Sequence, residues 1–194
     1  GNYNVCVGDE AGTAITTGTD NTFVGSNAGD AIIDSDHNIA IGHQALTADT
    51  KGSKSTAIGA FSLNAQNFTT ATDSLNTAIG YVAGGAVTTG IRNTILGGRA
   101  GDALTDADFN VAIGTDALTT DTLGSRSVAI GIDALGTQNF TTATDSYNTA
   151  VGDSAGVRVT TGIQNTLVGG LAGDALTDAD NNIAIGYGAL SNDT

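Results

Sequence analysis

Residues 76–80 read Asn-Thr-Ala-Ile-Gly, and this phrase, with small changes, occurs eleven times in the 194-residue chain. The copies are separated by 17, 17, 17 and 21 residues, and the same four steps then repeat. A period this strict is typical of stacked repeats that each contact their neighbours, rather than of one globular core. The copies begin at positions 4, 21, 38, 55, 76, 93, 110, 127, 148, 165 and 182.

Four units form a longer repeat of 72 residues, here called a cassette. The stretch GDALTDAD at 101–108 returns at 173–180, and QNFTTATDS at 66–74 returns at 138–146. Such similarity indicates one continuous segment over 1–194 rather than separate domains. The predicted divisions are cassettes at 4–75 and 76–147, with partial cassettes at 1–3 and 148–194.

Each phrase has the pattern of a short strand. With the first residue of the phrase as position 1, position 2 is Val, Ile or Thr, position 4 is aliphatic, and position 5 is Gly in all eleven units. Positions 2 and 4 share one face of a strand and suit a buried surface, so we expect them inside a coil. The Gly predicts either a corner with positive φ or a very close approach of the backbone. The predicted fold class is therefore all-β, a parallel β-solenoid of about eleven coils of 17–21 residues, stacked about 4.8 Å apart.

Position 3 points away from positions 2 and 4, and it is also apolar. A strand that is apolar on both faces is normally covered on both, and the simplest cover is another copy of the chain. The alternative is a column of small side chains, mostly Ala, exposed on the surface. Bulky members recur once per cassette, which predicts an oligomer interface at Phe23, Ile95 and Leu167.

An acidic turn recurs once per cassette and is a candidate calcium site. The turn at 34–38 reads Asp-Ser-Asp-His-Asn and returns at 106–110 and 178–182. Oxygen ligands on alternate residues suit Ca²⁺, although the Gly and downstream Glu of an EF-hand loop are absent. The alternative is a solvated turn whose carboxylates cap backbone amides. The candidate ligands are Asp34, Asp36, Asp106, Asp108, Asp178 and Asp180; no other cofactor is indicated.

The long units carry four extra residues, which we expect to bulge outward around 67–73 and 139–145. Each bulge places an aromatic residue, Phe68 or Phe140, in polar sequence. An aromatic side chain at a loop tip can stack on a sugar or a protein receptor, so both are candidate receptor contacts. The alternative is that each ring folds back over the solenoid.

Two polar columns follow from the period. Position 1 is Asn in nine units and Ser at 55 and 127, which predicts a ladder of hydrogen-bonded side chains. Thr occupies position 13 in eight units, an array of the kind an ice-binding solenoid would present. The Thr residues at position 2 are expected on the inner face, which disfavours ice binding through that column.

Composition excludes several classes. The net charge is −14 with six Lys and Arg, which argues against a nucleic-acid partner and fits a self-repelling extracellular surface. No apolar run reaches the length needed to insert into a membrane. The single Cys6 permits no internal disulfide. His37 and His43 do not recur between cassettes, so neither has the pattern of an essential base, and no enzyme activity is indicated.

The repeat phrase also resembles a known family. NIAIGHQAL (38–46), NTAIGYVAG (76–84) and NIAIGYGAL (182–190) resemble the NTAIGYQAL-type repeats of phage and prophage tail fibres. SVAIG (127–131) is similar to the head repeats of trimeric autotransporter adhesins. This resemblance implies a homotrimer of parallel β-rolls with a role in attachment, and it brings no catalytic residues. The expected location is a virion tail fibre or a bacterial cell surface, with a host cell-surface glycan or protein as receptor.

Overall fold

A computed structural model of the chain describes residues 2–192 and forms a parallel β-solenoid of eleven coils. Each repeat phrase forms one three-residue strand, and the strands pair in register in sequence order, as Thr22 pairs with Ile39. No α-helix occurs in residues 2–192, and so none that is long and apolar enough to cross a membrane. The predicted all-β solenoid is confirmed. The strands are Val5–Val7, Thr22–Val24, Ile39–Ile41, Thr56–Ile58, Thr77–Ile79, Thr94–Leu96, Val111–Ile113, Val128–Ile130, Thr149–Val151, Thr166–Val168 and Ile183–Ile185.

The long coils add two small sheets beside the main one. Gly52–Ser53 pairs in parallel with Thr72–Asp73, and Gly124–Ser125 pairs with Thr144–Asp145. The extra residues of each long coil therefore return to the solenoid wall. The tips at 69–71 and 141–143 are exposed, as are Asp73 and Asp145 beside them.

The Gly at position 5 forms a corner with positive φ, as the sequence predicts. At Gly25, φ is 134°, and a Cβ there would lie 2.6 Å from the carbonyl oxygen of Gly42 in the next coil. A side chain at this corner would collide with neighbouring backbone, so the invariant Gly is required for coils to stack.

The predicted orientation of the strands was wrong by one residue. Position 3, not positions 2 and 4, faces the interior, and from Phe23 to Ala184 its side chains are at most 2% exposed. Phe23, Ile95 and Leu167 are fully buried within their own chain. They cannot form the predicted oligomer interface. Both faces of the strand are apolar, so alternation could not say which one lines a narrow coil, and the smaller Ala side chains fit there.

The interior is completed by positions 8, 9 and 12. Coils with a bulky position 3 have Gly at position 9 and an aliphatic residue at position 12, as in Phe23, Gly29 and Ile32. The following coil reverses this with Ala40 and Leu46. A close-packed interior has a fixed volume, so a large side chain at position 3 requires a small residue at position 9, and the reverse. This exchange of volume explains why neighbouring units within a cassette differ in sequence.

The Asn column forms the predicted ladder. The backbone amide of Asn93 donates to the side-chain oxygen of Asn76 at 2.9 Å, and the side-chain nitrogen of Asn93 donates to the carbonyl of Ala107 at 2.7 Å. The backbone amide of Asn110 donates in the same way to the side-chain oxygen of Asn93, at 2.9 Å. Each buried Asn thus satisfies backbone groups in two coils, which stabilises the stack.

Candidate binding surfaces

The outward side chains of the eleven strands form a long surface, here called the aliphatic face: positions 2 and 4 of every strand. Position 4 is Val, Ile or Leu throughout, and position 2 is Val, Ile or Thr. Ile39, Ile41 and Leu96 are 38%, 36% and 43% exposed. With strands about 4.8 Å apart, the face runs for roughly 50 Å. Such a surface can associate with another apolar surface, since burying it removes apolar area from water.

The long-coil aromatics do not reach solvent. Phe68 and Phe140 are each 6% exposed, so the predicted receptor contacts were wrong and the alternative, folding back over the solenoid, is observed. A Cβ on Gly52 would lie 2.8 Å from the Phe68 ring, and the Phe68 amide donates to Asp49 at 3.0 Å. The ring therefore helps to cover a buried carboxylate.

That carboxylate belongs to a buried polar network in each long coil. One oxygen of Asp49 accepts from the side chain of Gln66 at 2.6 Å, and Gln66 also donates to Ser55 at 2.8 Å. The oxygen of Gln66 accepts from Asn76 at 2.9 Å, which joins the network to the Asn column where Ser55 interrupts it. The arrangement recurs 72 residues later with Asp121, Gln138, Ser127 and Asn148.

Burial raises the pKa of the Asp49 carboxyl, and hydrogen bonds from Gln66 and from backbone amides oppose the rise in part. With every oxygen engaged and no solvent access, the group has a structural role. This network was not predicted from the sequence. The signal was position 12, which is aliphatic in some coils and Asp or Gln in others.

The acidic turns cap the backbone, as the alternative to calcium proposed. Three of the six candidate ligands each accept a hydrogen bond from a backbone amide one coil away. The first Asp of a turn has other partners; Asp106, for example, accepts from the hydroxyl of Thr89 at 2.6 Å. Residues 2–192 bring no three His, Cys, Asp or Glu side chains together in a metal-binding group. In these capping bonds, each 2.7 Å long, the backbone amide of Thr19 donates to Asp36, that of Ile91 to Asp108 and that of Ile163 to Asp180.

The first aspartates of the other two turns are likewise held by neighbours. A carboxylate oxygen of Asp34 lies 3.9 Å from the ammonium group of Lys51. Asp178 accepts from the hydroxyl of Thr177 at 3.2 Å. The candidate ligands are thus spread along the coil surface and do not converge on one point.

The threonines at position 13 use their hydroxyls within the solenoid. Thr88 and Thr105 donate to carbonyls of the next coil at 3.2 and 3.0 Å, and Thr16 and Thr160 do the same. Thr194, the last member of this column, lies outside the described residues. The outward threonines are instead those of position 2, contrary to the sequence expectation.

An exposed row of rings lies just beyond the Gly corner, next to the aliphatic face. His43, Phe61 and Tyr81 come from three consecutive coils and are here called the aromatic row. Their centroids are 5.2 and 6.2 Å apart, and both contacts are edge-to-face. Tyr81 is 61% exposed. The row was not predicted from the sequence, because the rings come from positions 6 and 7 of separate units.

A second aromatic cluster lies in the column that precedes the Asn ladder. The guanidinium group of Arg126 stacks 4.7 Å from the Phe109 ring and 5.9 Å from the Tyr147 ring, and Arg92 lies 5.4 Å from Phe109. Arg126 also pairs with Asp145 at 3.1 Å. These cations are bound to their own chain, so the cluster reinforces coil stacking rather than offering free charge.

Comparisons with protein-family models, with curated proteins and with solved structures found no match for this chain. The binding capacity of its surfaces has to be judged from their own chemistry. Residues 2–192 enclose no pocket, and their notable outer features are the aliphatic face and the aromatic row.

Proposed function

We propose that the chain is a structural segment of an extracellular attachment fibre, in which three copies associate through their aliphatic faces. The observation that carries this proposal is the unbroken outward row of Val, Ile and Leu at position 4 along all eleven strands. The role is mechanical rather than catalytic, with the solenoid acting as a shaft or head of a phage tail fibre or a bacterial surface adhesin.

The size of the aliphatic face supports association. A strip about 50 Å long and about 10 Å wide has roughly 500 Å² of surface, from the strand spacing and side-chain dimensions. This area is comparable with the largest apolar patch on a typical soluble protein, and such patches are often functional. Three such strips would together bury about 1,500 Å², which is about 500 Å² for each of the three pairs of chains, so the trimer as a whole rather than any one pair would supply the contact area. The interior is already filled by position 3, so the chain cannot cover this face itself.

A second copy of the same chain fits this face better than an unrelated protein. Parallel copies share one rise per coil, so every strand of one copy meets the equivalent level of the next for the whole length. A partner with a different period would lose register after a few coils. The number three comes from the resemblance of the repeat phrases to tail-fibre and adhesin-head repeats.

Association would leave the charged surfaces outside. The net charge of −14 keeps separate fibres apart in solution, while the backbone and Asn ladders resist extension along the axis. This combination suits a stiff element that holds an attachment site at a distance.

The test is the solution mass measured by light scattering. We expect three times the chain mass of 19.1 kDa. Ile113→Lys places a charge in the middle of the aliphatic face and should yield monomers that keep their β-type circular dichroism. Leu75→Lys, at another exposed site, is the matched control and should remain trimeric. A wild-type monomer over micromolar concentrations would contradict the proposal.

One observation favours a second candidate, ice binding. Position 2 is Thr in six of eleven coils, and the structure places these side chains outward on a regular sheet. An ice-binding protein would show thermal hysteresis as a monomer, and Thr94→Lys would abolish it. A trimer without hysteresis supports the fibre instead.

A further inference from the structure

We propose that the aromatic row formed by His43, Phe61 and Tyr81 is a binding platform for a neutral saccharide chain. The exposed rings would pack against the nonpolar C–H faces of successive sugar units. This inference depends on the proposed function only in taking the segment to face ligands outside the cell. It is independent of the number of copies in the fibre.

The fold does not require these rings. The chain has Thr115, Asp133 and Asp153 at the same repeat positions 72 residues later, and the strands of those coils pair in the same register. The backbone conformations also match. Phe61 has φ of 60° and Asp133 has φ of 54°.

Local conformation disfavours an aromatic residue at this site. The left-handed region suits Asn and Asp, whereas a bulky side chain there is uncommon and strained. Phe61 is nevertheless held there, with only part of its ring covered by the solenoid. The Phe61 ring packs edge-to-face against His43 and Tyr81, but the equivalent coil folds with Asp133 in its place, so the fold leaves the ring free to contact an external ligand.

The row is open at the end next to Tyr81. Position 6 of the following coil is Gly98, and a Cβ built there would meet no atom within 4 Å. The hydroxyl of Tyr81 and the amide of Gln44, which lies one coil before Phe61 in the same column, add polar groups at the edge. Rings flanked by such groups suit a ligand with an apolar face and hydroxyl edges.

The surroundings narrow the class of ligand. Three side chains offer far less area than the roughly 800 Å² that each partner buries in a specific protein complex. The described residues enclose no pocket for a small compact molecule. A net charge of −14 disfavours polyanions such as nucleic acid or sulfated glycan. A neutral saccharide lying along the row meets all three conditions.

The equivalent positions 72 residues later supply a matched set of variants. His43→Thr/Phe61→Asp/Tyr81→Asp places the residues of those positions in the aromatic row and should fold as well as the wild type. His43→Thr/Phe61→Asn/Tyr81→Ser removes the rings without adding charge. The reciprocal variant Thr115→His/Asp133→Phe/Asp153→Tyr builds a second row.

The measurement is retardation in native gels that contain dextran, hydroxyethylcellulose or galactomannan, relative to gels without polysaccharide. At least one polysaccharide should retard the wild type, both loss variants should show at least tenfold weaker retardation, and the reciprocal variant should be retarded more strongly. No retardation by any polysaccharide, or equal retardation of wild type and both loss variants, would overturn the inference.

Light scattering on the same samples separates the two proposals. A trimer whose loss variants bind as the wild type does would overturn the saccharide platform and leave the fibre standing. A monomer that binds through the aromatic row would overturn trimer formation and leave the platform standing.

Discussion

A Cβ on Gly29 would lie 2.8 Å from three carbons of the Phe23 ring, so these two residues share a single space in the core. The next coil fills the equivalent space from the other side, with Ala40 at position 3 and Leu46 at position 9. Gly29 and Leu46 have nearly the same φ, 57° and 54°. The two positions can therefore exchange volume without a change in backbone.

The first prediction concerns this exchange. Phe23→Ala should lower the free energy of unfolding by about 3–5 kcal/mol, because it leaves a cavity. Gly29→Leu alone should cost about 1–3 kcal/mol or more, because the core is overpacked. In the double variant the new Leu fills the space left by the ring. The loss should be smaller than the sum of the single losses by at least about 1 kcal/mol.

Urea unfolding followed by circular dichroism measures all four proteins. The control is the double variant Phe23→Ala/Gly173→Leu. Gly173 occupies the same repeat position as Gly29 but lies far from Phe23, so the two losses of stability should add. Strict additivity at Phe23 and Gly29 would show that the two side chains do not compete for space.

How far the sequence specifies this molecule can be judged from single residues. The 17-residue spacing and the invariant Gly were enough to predict the solenoid, its corner and the Asn ladder. The direction of Phe23 was not predictable, because the strand is apolar on both faces and only the volumes at positions 9 and 12 distinguish inside from outside. The aromatic row and the Asp49 network each unite residues from separate coils, so no local motif could reveal them.

The second prediction concerns the Asn ladder. Asn110→Ala removes the acceptor for the Ser127 amide, at 2.8 Å, and the donor to the Gly124 carbonyl, at 2.9 Å. Both backbone groups are buried, so each would lose its partner at a cost of about 1–3 kcal/mol. The urea midpoint should fall well below that of Thr70→Ala, an exposed control. Equal midpoints would mean that water replaces the ladder.

The third prediction separates capping from calcium binding at the acidic turns. Asp108 accepts from the Ile91 amide at 2.7 Å, and an Asn side chain can accept the same bond. Asp108→Asn should therefore change the free energy of unfolding by less than about 0.5 kcal/mol, whereas Asp108→Ala should lower it by about 1 kcal/mol. Millimolar calcium or a chelator should leave all three melting curves in place. A calcium-dependent rise in the melting temperature that Asp108→Asn abolishes would instead establish a metal ligand.

The fourth prediction follows from the buried carboxyl of Asp49. Burial raises the pKa of this carboxyl in the folded chain above its ordinary value of 3.8. The folded state therefore holds the proton more tightly than the unfolded state. The stabilisation that this gives is complete below pH 3.8 and is lost as the pH rises through the pKa of the folded state.

Asp49→Asn removes this titrating group. The difference in the free energy of unfolding between wild type and variant therefore isolates the contribution of Asp49 from that of the other carboxylates. At every pH the variant should be less stable than the wild type. In the wild type the side-chain nitrogen of Gln66 donates a hydrogen bond to Asp49 at 2.6 Å. In the variant the amide nitrogen of the new Asn would face that nitrogen, so two donors would meet without an acceptor. Its deficit should be largest in acid and should shrink as the pH rises, since only the wild type loses the proton-linked stabilisation. Urea unfolding at a series of pH values measures this difference, and Thr142→Asn, which adds an amide on an exposed tip, should run parallel to the wild type. A deficit that stays constant would mean that hydrogen bonds to the carboxylate balance its burial. A deficit that grows with pH would mean that they outweigh it, because the folded state would then favour the ionised form.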